Sequence, residues 1–112
     1  MKSLHEIIAP VGAALVEELG DKVFHYWRPR LSAPFCVWAE DGEGVSLETG
    51  NHKAEQAVSG YVDYYTGTEA DTNVDAIQEA LNAVEGLVWR LDSVQFEDET
   101  KLIHYQWIWE AS

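Results

Sequence analysis

At 112 residues the chain suits one domain, and a composition that is 46% hydrophobic and 24% charged is that of a globular protein rather than a disordered one. Twenty Asp and Glu against seven Lys and Arg give a formal net charge of -13, a field that repels phosphate backbones and anionic membranes, so neither nucleic acid nor membrane is expected as a partner. No stretch approaches the roughly 20 apolar residues a spanning helix needs. The opening "MKSLHEIIAPVGAALVEELG" pairs a basic residue with an apolar run, but His5, Glu6, Glu17 and Glu18 interrupt it, unlike a secretory leader.

Ser3 followed three residues later by Glu6 has the form of a capping box, and Leu4, Ile7, Ile8, Val11, Leu15 and Leu19 recur at helical spacing. A first helix is predicted to end near Gly20. Pro10 removes the amide that would bond the Glu6 carbonyl, so the helix is either kinked there or begins at Pro10 after a short turn. "KVFHYWRP" and, after the turn-like "RLSA", "PFCVWAED" are rich in aromatic and β-branched residues and read as two strands. "DGEG" is a turn signal, "VSLE" a short strand and "TGNHK" another break, which places a loop or edge hairpin over roughly residues 41–54.

"EQAVSGYVDYYTG" alternates Val58, Gly60, Val62 and Tyr64 with Ser59, Tyr61, Asp63 and Tyr65, the pattern of a half-buried strand in which Gly60 marks a bulge or a close backbone approach. "TEADTNVDAIQEALNAVEG" offers several capping residues and then Val74, Ile77, Leu81 and Val84 at a helical period, ending at Gly86. "LVWRLDSVQFED" and "KLIHYQWIWE", joined by "EDETK", suit a closing hairpin. On its last strand Ile103, Tyr105, Trp107 and Trp109 share one face, expected under the helices. Leu102, His104, Gln106 and Ile108 share the other, better suited to a partner or solvent. The fold class predicted is α+β: a single domain with an antiparallel or mixed sheet and both helices packed on one face.

The polar residues assemble into no catalytic signature. Asp71, Asn73 and Asp75 copy the first ligand positions of a calcium loop, but Ala76 and Asn82 stand where its glycine and bidentate glutamate belong, so these side chains read as helix caps. His5, His25, His52 and His104 include no i,i+4 pair for a metal; His25 and His104 lie beside aromatics and could meet across a sheet. Ser46, Ser59 and Ser93 lack the glycines of a nucleophile elbow, and "GEG" lacks the third glycine of a dinucleotide fingerprint. Cys36 is alone, which excludes an intrachain disulfide, and its apolar neighbours point to an inert buried thiol. No catalytic residue, cofactor or metal is expected.

The aromatics are more informative. Trp27, Trp38, Trp89, Trp107 and Trp109 all fall in predicted strands beside Tyr61, Tyr64 and Tyr65. Two helices can cover one sheet face but not two, so some rings are left for a partner or ligand.

Four stretches, "LHEIIAPVGAALVEEL", "EQAVSGYVDYYT", "NVDAIQEALNAV" and "WRLDSVQFEDETKLIHYQWIWE", span most of the chain and resemble, in element order and in Gly60, Tyr61, Trp89 and His104 to Trp107, the tail terminator (tail completion, minor tail) proteins of siphophage-type phages and prophages. The resemblance implies a structural, non-enzymatic subunit that forms a homo-oligomer, commonly a hexameric ring, on the tail tube where it meets the head-tail connector proteins. It also implies location in the virion tail, after synthesis in the bacterial host cytoplasm. Tyr61, Tyr65, His104, Gln106 and Ile108 are the candidate interface residues. The acidic charge suits a channel through which DNA slides. The alternative is a small binding module that holds an apolar ligand or partner on an aromatic sheet face, marked by a deep Trp-lined pocket.

Overall fold

The computed structural model describes residues 2–44, the backbone at 48–49 and 52–53, and residues 55–112. The first helix, α1, is Leu4–Leu19, and its N-terminus carries the expected box: Glu6 donates its amide to Ser3 Oγ, and Ser3 donates its own to Glu6 Oε1, each at 3.1 Å. Two amides that a helix start leaves unpaired are thereby satisfied. The helix therefore starts upstream of Pro10 and runs through it. Pro10 is solvent-exposed, where water can bond the carbonyl it orphans.

The predicted strand from Lys22 shortens to β1, Val23–His25. Tyr26 adopts φ 76, a left-handed conformation costly for an aromatic residue, and the chain leaves the sheet there. The turn is held by the Tyr26 amide on the Trp38 carbonyl at 3.0 Å and by the Tyr26 hydroxyl on Glu40. Trp27 consequently lies outside any strand and is 76% exposed, contrary to its placement in the predicted sheet.

Strand β2 is Phe35–Glu43, so the "DGEG" segment does not turn. It continues against β5, Val58–Thr66, with the register shifting between Glu40 and Gly42, and Ser59 Oγ donates to Asp41 at 3.0 Å. A β-bulge absorbs the extra residue and lets the ladder go on. The edge hairpin appears as β3, Glu48–Thr49, paired with β4, His52–Lys53; thus the "TGNHK" break pairs in part, while Val45 to Leu47 of "VSLE" lie outside the described residues.

Helix α2 is Thr72–Ala83, ending three residues before Gly86, and the closing hairpin is β6, Leu87–Glu97, with β7, Leu102–Ala111. The main sheet has the order β1-β2-β5-β7-β6, antiparallel except for the parallel β1–β2 pair, so the fold is α+β with a mixed sheet.

Both helices cover the face that carries Cys36, Trp38, Val62, Tyr64, Trp107 and Trp109, against Val11 and Leu15 of α1 and Ile77 and Leu81 of α2. Close approach of α1 depends on Gly12, where an added Cβ would lie 2.4 Å from Trp38 Cζ2. Helix α2 is tied down through indoles: Trp107 Nε1 donates to Gln78 at 3.1 Å and Trp89 Nε1 to Asn82 at 2.8 Å, partners one helical turn apart.

Candidate interface surfaces

The face without helices is built on the two central strands. Register places Tyr61 opposite Ile108, Asp63 opposite Gln106 and Tyr65 opposite His104. All five sequence-predicted interface residues therefore fall on three consecutive rungs of one face. They are not equally available: Tyr61, His104, Gln106 and Ile108 are half-buried, whereas Tyr65 is 9% exposed. Its ring stacks on His104 with centroids 4.2 Å apart, tilts against Phe35 at 5.0 Å, and lies under the Arg28 guanidinium at 4.5 Å.

Asp63 holds the centre of this face, and sequence reasoning did not single it out. Its Oδ1 accepts from His104 Nε2 and Gln106 Nε2, each at 2.9 Å. The alternation placed Asp63 beside Tyr61 and Tyr65; only the pairing of β5 with β7 put two donors across from it. Burial, with Asp63 adding to it, raises the Tyr61 and Tyr65 phenols above their ordinary range, so both are neutral at physiological pH and serve as apolar surface with a hydrogen-bonding tip. An open groove of about 730 Å³ continues this face toward the other end of the strands, lined by Asp41, Ser59, Val88, Arg90, Ile108 and Glu110 among others.

On the helix side the edge is closed by a stack in which His25 lies 3.8 Å from Tyr26 and 3.9 Å from Trp38, with His25 Nε2 2.8 Å from Glu40. Burial pushes the Glu40 carboxyl up, but hydrogen bonds from Tyr26, its own backbone and His25 outweigh that and hold it below the ordinary value. His25 belongs to this face and His104 to the opposite one, with two strands between them, so the two histidines do not meet.

The calcium-like segment serves as a cap. Asp71 is the N-cap of α2: Oδ1 accepts the Asn73 amide at 2.9 Å, while Oδ2 accepts the Tyr64 and Thr66 hydroxyls at 2.7 Å each. One carboxylate thus joins a helix start to the central strand. Among the described residues no three His, Cys, Asp or Glu side chains come together to hold a metal ion. Cys36 is buried, and burial drives its thiol far above the ordinary range, so the nucleophilic thiolate is not formed.

Large exposed apolar side chains gather in two other places that sequence reasoning left unassigned. One is the loop after β1, with Tyr26, Trp27 and Leu31; the other is β6, with Leu91, Val94 and Phe96 on one face and Val88 on the opposite one. Strand β6 is also a free edge of the sheet. Alternation along β6 would break between Leu91 and Val94, but a bulge between Leu91 and Ser93 keeps Leu91, Val94 and Phe96 in phase with Trp107, Tyr105 and Ile103.

No protein-family model matches the chain, and no curated protein matches it in sequence. In three dimensions it is similar to a chain from the virion of a native gene transfer agent particle, with a TM-score of 0.57 and 13% identity over 97% of this chain and 92% of that one. The similarity runs through nearly the whole of both chains, and at this identity what it establishes is a shared fold.

Proposed function

We propose that the chain is a structural protein of a phage-like virion and, within it, a subunit that assembles into a ring at the end of the tail tube, as in tail termination or head-tail joining. The observation that carries the virion role is the near end-to-end fold match to a gene transfer agent virion chain. The finer assignment to the tail end rests on the resemblance of the sequence to tail terminator proteins. Supporting both is the distribution of surface: a free β6 edge and apolar side chains left uncovered by folding are what a subunit with permanent neighbours presents. The role is structural rather than catalytic.

The test has two arms. Solution mass is measured over a concentration series, alone and with purified tail tubes, and tail length is measured by electron microscopy in particles made without this gene. Concentration-dependent or tube-dependent rings and a loss of length control are expected. A protein that stays monomeric with tubes, and whose deletion leaves tails unchanged, would refute the tail-end assignment.

A further inference from the structure

Positive charge gathers at one place in this acidic chain. Of its three arginines, Arg90 is engaged with Asp92 at 3.0 Å. The other two, Arg28 and Arg30, stand in the loop of residues 26–34, "YWRPRLSAP", which has no acidic residue although the net charge is -13. Among the described residues neither of them makes an ion pair with a carboxylate. Arg28 instead stacks over two rings, its guanidinium 5.4 Å from the Phe35 centroid and 4.5 Å from that of Tyr65. Stacking fixes the plane of the guanidinium, takes water from its face and leaves its N–H edges open, which is the preparation that a bidentate bond to a carboxylate requires.

Phe35 and Tyr65 belong to the helix-free face, so the loop overhangs that face. An open groove of about 510 Å³ runs beneath it, with Arg28, Leu31, Ser32, Phe35, Thr100 and Leu102 in its wall and no carboxylate. Three further grooves are walled by acids: one of about 730 Å³ by Asp41, Glu43 and Glu110, one of about 280 Å³ by Glu55 and Glu110, and one of about 640 Å³ beyond α2 by Glu69. Glu97 stands beside the loop groove, but its Oε1 accepts from Thr100 at 3.0 Å. Apolar surface flanks the two cations, Trp27 being 76% and Leu31 64% exposed.

From this placement we infer that the groove under loop 26–34 docks a short acidic segment of a partner protein, with carboxylates on Arg28 and Arg30 and an apolar side chain between Trp27 and Leu31. Charge complementarity selects the occupant. A nucleic acid would extend past the groove onto acidic surface, and two cations are too few to hold it, because its affinity grows with the number of phosphates neutralised. A free inorganic anion would leave Trp27 and Leu31 in water. A short peptide with carboxylates and an apolar side chain uses both features. Screening limits repulsion from the remaining carboxylates to a range of about 8 Å at physiological ionic strength, so distant ones do not oppose the contact while Glu97 does. The inference goes beyond the proposed function and does not depend on ring assembly.

The experiment titrates isotope-labelled protein with two pools of synthetic octapeptides and with a short oligothymidylate, following amide and side-chain N–H signals by nuclear magnetic resonance. The pools share Leu, Val and Phe at alternate positions; between these, one carries Glu and Asp and the other Gln and Asn. Trp27→Phe assigns the Trp27 indole signal. The acidic pool is expected to shift the Trp27 indole and the Arg28 and Arg30 side chains, and to bind tighter than the neutral pool by about tenfold, the worth of one charge-assisted pair. Arg28→Lys should weaken it because lysine keeps the charge without the fork or the stack, and Glu97→Gln should tighten it. Arg30→Glu should weaken it by about tenfold or more, and because Arg30 is exposed this variant keeps the test open if Arg28→Lys unfolds, which circular dichroism reports. Equal affinity for the two pools, tighter binding of the oligothymidylate, shifts centred away from the loop, or wild-type affinity in Arg30→Glu would each overturn the inference. So would self-association of the chain alone that Arg30→Glu abolishes, since the occupant would then be a second copy.

Discussion

The strongest discriminating perturbation is Trp107→Ala set beside Ile103→Ala. Both side chains project from the same face of β7, four residues apart, yet Trp107 is completely buried under α2 while Ile103 is half-buried in the groove beyond the helix. Truncating a buried Trp costs about 3–5 kcal/mol, from lost transfer energy and the cavity left behind. The indole's hydrogen bond to Gln78 is lost as well, adding up to about 1 kcal/mol if water does not reach the amide. Folded domains are stable by roughly 0.05–0.15 kcal/mol per residue, so this change removes a large share of the total. At about 4 °C per kcal/mol for a domain near this size, the melting temperature should fall by about 12–20 °C. Ile103→Ala, with its side chain already partly in water, should cost only about 1–2 kcal/mol. Urea denaturation followed by tryptophan fluorescence and far-ultraviolet circular dichroism, with the slope checked for two-state behaviour, measures both. Equal costs for the two substitutions, or a Trp107→Ala loss under about 1 kcal/mol, would refute the division of this stripe into a core half and an uncovered half.

Asp71→Ala removes the α2 cap and the shared acceptor of two hydroxyls, and is expected to cost about 2–4 kcal/mol in urea unfolding, with Asp71→Asn retaining part of it because Asn also caps. A pH series extends that test. Burial opposes the Asp71 charge, but the hydrogen bonds from Tyr64, Thr66 and the Asn73 amide prevail and hold its folded pKa below the ordinary value of about 3.9. Its contribution is thus present above that value and lost as pH falls through the folded one, so the urea midpoint of Asp71→Ala should vary less below about pH 4 than that of the wild type. Gly60→Ala would place a Cβ 2.2 Å from Trp109 Cζ2 and 2.4 Å from the Ala39 carbonyl oxygen, and since backbone cannot step aside as a side chain can, a loss of at least about 2 kcal/mol by thermal unfolding is expected.

What the sequence determined by itself is local. The Ser3–Glu6 box, the Asp71 cap, the apolar period of both helices and the alternation in β5 and β7 each depend on groups a few residues apart, and each is found in the structure. Gly60 was legible for the same reason: alternation put it on the packed face, where a missing side chain implies a close neighbour, and Trp109 is that neighbour. Tertiary structure decided what depends on partners far along the chain. "DGEG" has turn chemistry, but pairing of Gly42 and Glu43 with Ser59 and Val58 outweighed it. "KVFHYWRP" has strand composition, yet among the described residues it pairs with β2 alone, and the Tyr26 turn releases Trp27 into solvent after three rungs. Asp63 became a hub only when β7 brought His104 and Gln106 beside it. Alternation assigned the two faces of the last strand; how far α2 reaches along that strand decided where the core face ends, and so left Val94, Phe96 and Ile103 for something other than folding.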